Sequence, residues 1–277
     1  MHIKKIVLLG MLLALGMAPA PADEITNRMA AARELMKAYK NAEALIAFTN
    51  LAAVSADDKL KSEALESAAY CAMRQRHNDH SMIPLATKLA QQIPLKPESI
   101  KCRMVILSET GQNGELIKQF KDENLAALPE DIAAETYFMR GRSYAWLKKG
   151  PEAEADYKMA LERRPKEMKY LMALAGNYHA NLKDTPKALD TYRQAMASVE
   201  RPHHALDAAV EIARINVSDA KYDEALKALE SFKDTSALSD YQRRLVLRAF
   251  GQAYAGLGRE EEAIASFKEA NKTAGVK

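Results

Sequence analysis

Residues 137–165 read YFMRGRSYAWLKKGPEAEADYKMALERRP, and residues 247–275 read LRAFGQAYAGLGREEEAIASFKEANKTAG. The two stretches share one spacing. Gly141 and Gly251 are each followed by a tyrosine three residues on, Tyr144 and Tyr254. An alanine stands twelve residues after each glycine, Ala153 and Ala263. An aromatic follows four residues later (Tyr157, Phe267), and a second alanine three beyond that (Ala160, Ala270). Two weaker copies lie between. One runs Leu171, Leu174, Ala175, Tyr178, Ala188, Tyr192 and Ala195, with one extra residue assigned to its middle turn. The other runs Ala209, Ile212, Ala213, Ala225, Leu229 and Phe232. The period of 34–38 residues makes internal repetition the primary signal in this chain.

Each repeat reads as two antiparallel helices. Small residues at Gly141 and Ala153 let two helices approach closely, and Tyr144 and Tyr157 fill the space where one pair meets the next. Gly150–Pro151 marks the turn within the unit, because proline suits a first helical turn whose N–H groups have no partner. Pro165 ends the second helix. Thr185–Pro186 and Gly258 mark the same turn in other copies. Residues 23–133 show the pattern less cleanly but still read as paired helices: 25–39 with 42–53, 59–76 with 81–93, and 98–110 with 115–125. Gly111–Gln112–Asn113–Gly114 supplies the last of these turns. No Gly/Ser/Pro-rich linker separates residues 23–133 from 134–277. The expectation is therefore one continuous all-α solenoid, a superhelix of about seven antiparallel helix pairs.

The spacing in residues 134–275 resembles the tetratricopeptide repeat (TPR) family, most clearly in the first and last copies. The resemblance implies a curved stack in which the first helix of each pair lines a concave groove. Counting outward from the packed residues, the groove-facing candidates are Phe138, Arg142, Ala145, Trp146, Met172, Gly176, His179, Val210, Arg214, Arg248 and Gln252. Such a mixture suits an extended peptide or a partner helix. Six of them have a competing structural reading: Trp146 can pack on the next repeat, Phe138 and Met172 can be core, and Arg142, Arg214 and Arg248 can be a solvated face. Family members that grip a chaperone's C-terminal carboxylate use a Lys and Asn pair on the groove helices. The matching places here hold Phe138 and Arg142, Met172 and Gly176, and Val210 and Arg214, so that clamp is absent.

Residues 1–22 have the layout of a secretory signal peptide: Lys4 and Lys5, an apolar stretch from Ile6 to Met17, then Ala18, Ala20 and Ala22. Cleavage after Ala22 is preferred over cleavage after Ala20, which would leave Pro21 immediately downstream. Its removal leaves 38 basic against 37 acidic residues. A chain so close to neutral has no strong electrostatic pull toward nucleic acid or anionic lipid. No later segment is apolar enough for a membrane span. The protein is expected to be exported, to a bacterial periplasm first and to the extracellular space second.

The apolar share of 48%, with only 11 glycines and 10 prolines, argues against an all-β fold and against disorder. No phosphate loop, zinc-protease motif or nucleophile elbow is present. Ser143 falls inside a repeat helix. Ser218 and Lys221 have a Ser-x-x-Lys spacing, but at a turn and without supporting motifs. Cys71 with His77 and His80 matches no structural zinc spacing, and no metal site or cofactor is expected. His203 and His204 start a helix and are expected to point apart. Cys71 and Cys102 lie about one repeat apart, and an oxidising compartment permits a disulfide between them. The two turns put them about four residues out of register, which favours two buried free thiols.

The expected function is a non-catalytic protein-interaction scaffold of the cell envelope. An accessory role in envelope assembly or cell division is the first alternative. An enzyme or enzyme subunit with an unrecognised site is the alternative from another class.

Overall fold

A computed structural model describes residues 21–75, 82–93, 97–122, 125 and 128–272. The charged start and apolar stretch of the expected leader lie outside these residues, as do His77 and His80. The chain divides into two compact units, Met1–Leu147 and Lys148–Lys277.

The first unit contains α1 (Ala22–Lys37), α2 (Asn41–Val54), α3 (Asp58–Gln75), α4 (Met82–Gln92), α5 (Pro97–Glu109), α6 (Asn113–Gln119) and α7 (Glu130–Trp146). Consecutive helices pack as pairs, and each second helix also packs on the first helix of the next pair: α2 on α3, α4 on α5, α6 on α7. First helices meet first helices as well, α1 with α3, α3 with α5 and α5 with α7. Arg33 on α1 pairs with Glu63 on α3 across one such seam. Alanines make this nesting close. Ala64, Ala68 and Ala72 of α3 and Ala44 of α2 are fully buried around Leu45, Phe48 and Leu65. Burying each large apolar side chain contributes about 1.5–3 kcal/mol, so the core accumulates repeat by repeat.

The second unit contains α8 (Gly150–Arg163), α9 (Met168–Asn177), α10 (Thr185–Ala197), α11 (Leu206–Ser218), α12 (Tyr222–Leu229), α13 (Asp240–Gly256) and α14 (Glu260–Lys272). A π-turn, Tyr178–Leu182, extends α9, and short 3-10 turns precede α11 and follow α12. The packing rule is the same: α8 on α9, α10 on α11, α12 on α13, and α11 on α13. The repeat residues occupy the contacts. Ala153, Ala160, Ala188, Ala195, Ala225 and Ala270 are fully or nearly fully buried, with Tyr157, Tyr192 and Phe232 beside them. A Cβ added at Gly251 would lie 2.7 Å from the Phe267 ring, and one at Gly256 would lie 2.2 Å from the Tyr222 ring. These glycines are the points at which α13 touches α14 on one side and α12 on the other.

A turn device recurs that the residue types do not announce. Tyr39, Gly111, Lys148, Lys183, Ala220 and Gly258 all have positive φ, between 57° and 75°. Each stands in the turn before the next helix of the chain, and only Gly111 and Gly258 are glycine. At four of them the backbone closes the helix end in the same way. The amide of Lys40 donates to Leu35 O at 2.9 Å, Gln112 to Leu107 O at 2.7 Å, Lys221 to Asn216 O at 2.8 Å and Arg259 to Tyr254 O at 2.9 Å. This is the left-handed C-cap with its six-to-one hydrogen bond.

The cap corrects one sequence expectation. The extra residue of the second copy is not in the turn. Lys183 stands five residues before Ala188, just as Gly258 stands five before Ala263. The insertion lies upstream, within α9, where the chain widens into the π-turn and Asp184 N reaches back to Tyr178 O at 2.9 Å. An inserted residue absorbed this way keeps the turn and both flanking helices in register. A second correction concerns the helix expected over 115–125. It begins at Asn113 and ends at Gln119, because Phe120 leaves the helical region (φ −107°, ψ 77°) and its carbonyl accepts a side-chain hydrogen bond.

Candidate partner-binding face

The eight principal groove candidates are split between the two units. Phe138, Arg142 and Trp146 sit on α7 in the first; Met172, His179, Arg214, Arg248 and Gln252 sit on or just beyond α9, α11 and α13 in the second. In the first unit, Phe138 is 9% exposed, so its ring belongs to the core rather than to an open face. The Arg142 guanidinium lies 5.9 Å from the centre of that ring and is itself exposed. Trp146 is 67% exposed at the end of α7.

In the second unit, Met172 is half-buried and Arg248 and Gln252 are exposed. His179 lies within the π-turn, half-buried, and its Nδ1 is buried with no hydrogen-bond partner among the described residues. Arg214 is exposed but committed: its Nε and Nη2 both donate to Glu211 Oε2, at 3.0 and 2.7 Å. The face of α11 is therefore self-neutralised. On α13, Tyr241 is 61% exposed and the Arg244 guanidinium lies 5.8 Å from its ring centre. Neither residue is among the groove candidates that the repeat spacing singles out. Their signal was present: they precede Arg248 and Gln252 at helical spacing on the same face of α13.

Polar networks under this face hold the helices in place. Asn177 Nδ2 donates to the carbonyl of Gly150 at 2.9 Å, and Tyr178 Oη donates to Glu154 Oε1 at 2.9 Å, so α8 and α9 are bonded at both points. Burial, reinforced by the hydrogen bond to Glu154, pushes the Tyr178 phenol up to about 12. Burial also raises Tyr192 to about 12. The hydrogen bond from Lys158 is the main cause holding Glu154 below its ordinary range.

The residues singled out for chemistry are engaged structurally. Ser143 Oγ donates to Met139 O within α7. Ser218 Oγ donates to Ile215 O, and Lys221 is 3.6 Å from Asp219. The rings of His203 and His204 meet edge-on at 4.3 Å instead of pointing apart, because the 3-10 turn brings successive side chains together. Cys71 carries a free, fully buried thiol whose pKa burial raises to about 11. The side chain of Cys102 lies outside those described. No group of three or more His, Cys, Asp or Glu residues is arranged for a metal among the described residues. An open depression of about 440 Å³ lined by Arg164, Pro165, Lys166 and Glu167 lies at the turn between α8 and α9. No helix among the described residues is long and apolar enough to cross a membrane.

No family model matches the chain, and no curated protein matches it. Its backbone is similar to that of solved structures. One is BtubC from P. vanneervenii, with a TM-score of 0.55 and 13% identity, covering 80% of this chain and 92% of that one. Another is the C-terminal part of a TPR repeat-containing protein from Cytophaga hutchinsonii, with a TM-score of 0.56 and 17% identity, covering 90% of this chain and 96% of that one. At these identities the likeness is one of fold. That fold is an all-α solenoid of the tetratricopeptide type, as the residue spacing implied.

Proposed function

We propose that this protein is a non-catalytic interaction scaffold of the bacterial cell envelope that binds a peptide or partner protein on the free faces of its first helices. The observation that carries the reading is the division of labour on α13. Two sides of the helix nest against neighbours, α14 at Gly251 and α12 at Gly256, while Tyr241, Arg248 and Gln252 stay exposed. A helix held on its packed sides by neighbours offers a rigid, preorganised surface, and rigid surfaces bind with little ordering cost. Placement in the envelope is supported by the leader-like residues 1–22: two lysines, a short apolar stretch and small residues at the cleavage position.

In-cell photocrosslinking tests both parts. A benzoylphenylalanine at Gln252 is expected to give a discrete protein adduct in the periplasmic fraction, and one at Lys227 on the exposed side of α12 is expected to give none. Recovery of the protein only from the cytoplasm would overturn the location. Failure of every first-helix position to crosslink any protein would overturn the scaffold role.

A further inference from the structure

The exposed face of α13 is charged differently from that of its neighbours. Tyr241, Arg244, Arg248 and Gln252 fall at i, i+3, i+7 and i+11, one stripe of the helix. In the second unit Arg193, Arg214 and Arg259 are each held by a carboxylate three residues away, Asp190, Glu211 and Glu262. Among the described residues Arg244 and Arg248 have no such ion pair; Arg244 rests over Tyr241 instead. In the three preceding copies of the spacing pattern the position of Arg248 is apolar: Phe138, Met172 and Val210. Among these four copies a cation stands there only in the last. The helix start is fixed as well: Ser239 and Gln242 form a reciprocal capping box, and Arg243 donates to the carbonyls of Thr235 and Leu238 at 3.2 and 3.3 Å.

From this arrangement we infer that the α13 stripe docks an acidic peptide segment, and that it is this segment which the first-helix face recognises. The inference rests on the scaffold reading above and names the partner's chemistry. A guanidinium free of internal carboxylates can receive an incoming one as a forked, charge-assisted pair without breaking an existing bond. Arg214, by contrast, would first have to release Glu211. The exposed Tyr241 ring gives an apolar or aromatic residue of the peptide a flat surface beside the charges. Nucleic acid and anionic membrane fit less well, because they need a broad basic surface. Here the adjoining α11 presents Glu211 and Asp207, which confine the positive field to one helix.

The test uses a fluorescein-labelled peptide of alternating Glu and Phe, and the same peptide with Gln for Glu, followed by fluorescence anisotropy. The wild-type protein is expected to bind the Glu peptide at least about 10-fold more tightly than the Gln peptide, with the difference shrinking as salt rises. Arg244→Glu with Arg248→Glu is expected to remove that preference. Arg193→Glu with Arg201→Glu makes the same change in net charge off the stripe and is expected to keep it. Thermal unfolding followed by circular dichroism confirms that each variant is folded. Equal binding of the two peptides, an unchanged preference in the α13 double variant, or capture of phosphatidylglycerol vesicles by the stripe with no peptide binding would each overturn the assignment. If the Gln252 photocrosslink to a protein survives Arg244→Glu with Arg248→Glu, the acidic-segment inference fails and the scaffold reading stands. If no first-helix position crosslinks a protein, the scaffold reading itself fails.

Discussion

Arg140 Nη1 donates to the carbonyl oxygen of Phe120 at 2.8 Å, and Nη2 meets Asp122 Oδ1 at 2.5 Å. The guanidinium also lies over the rings of Tyr137 and Tyr144, at 5.5 and 5.8 Å. A buried cation on α7 thus caps the C-terminal end of α6, where carbonyls lack helical partners and the helix dipole is negative. Arg103 on α5 does the same one repeat earlier, donating to Ile93 O at 2.8 Å just beyond α4. These two arginines set where their second helices stop.

Arg140→Met is expected to destabilise the protein by about 2–3 kcal/mol, since a hydrogen bond from a charged group is lost and a buried carbonyl is left without its donor. Asp122→Asn is expected to cost less than about 1 kcal/mol, because the Asp122 side chain is 85% exposed and keeps its water. Urea unfolding of the two variants checks the contrast. Equal losses would show that the ion pair, not the carbonyl cap, is the stabilising element.

The recurring left-handed caps give a sharper pair of substitutions. Ala220 holds φ 57°. An L-residue loses about 1–2 kcal/mol there, partly offset by the flexibility a glycine adds to the unfolded chain. Ala220→Gly is expected to stabilise the protein by about 0.5–1 kcal/mol. Gly258→Ala is expected to destabilise it by about 1 kcal/mol, although nothing lies within 4 Å of the added Cβ, so the loss comes from the backbone alone. Chemical denaturation midpoints read both signs.

Glycines at close helix contacts behave differently from glycines in open space. Gly251→Ala would drive a methyl into the Phe267 ring and is expected to cost about 1–3 kcal/mol. Gly114, in the first turn of α6, has nothing within 4 Å, and Gly114→Ala is expected to be neutral or stabilising by about 0.5–1 kcal/mol. Melting temperatures that fall equally in the two variants would contradict the assigned helix contact.

The raised groups predict a decline in stability at alkaline pH. Cys71 rises from 9.0 to about 11, and Tyr178 and Tyr192 from 10.0 to about 12. Above the unfolded value the unfolded chain gives up its proton while the folded chain retains it, so stability falls as pH rises. The contribution is intact below pH 9 for Cys71 and below pH 10 for the tyrosines. It is lost progressively toward pH 11 and 12. Tyr178→Phe with Tyr192→Phe should flatten the upper part of the profile, measured as the urea midpoint against pH. A profile unchanged by the two substitutions would mean the phenols titrate alike in both states.

Much of the fold was legible because it depends on size and spacing. Ala153, Tyr157 and Ala160 repeat as Ala263, Phe267 and Ala270, and helix packing reads those features directly. The length of the second-copy insertion was legible too, but its location was not. Whether Tyr178–Leu182 widens as a π-turn or the following turn lengthens depends on hydrogen bonds that residue types leave open. The caps were half visible: Gly111 and Gly258 advertise a positive φ, whereas Tyr39, Lys148, Lys183 and Ala220 adopt it against their own preference. The early stop of α6 was invisible, since it depends on an arginine twenty residues downstream. On the candidate face, counting found the exposed Arg248 and Gln252 and included the buried Phe138. It could not tell a free guanidinium from one committed to a neighbour, as Arg214 is to Glu211.

The central claim is that helix pairs nest on one another through small residues, with α13 touching partners on two sides at once. Nuclear Overhauser contacts from the Gly251 and Gly256 α-protons test it most directly. The account predicts that Gly251 contacts the Phe267 ring within its own pair and that Gly256 contacts the Tyr222 ring of the preceding pair, both with ring-current shifts. A Gly251–Phe267 contact without a Gly256–Tyr222 contact would mean that the hairpins form but do not stack, and would contradict it.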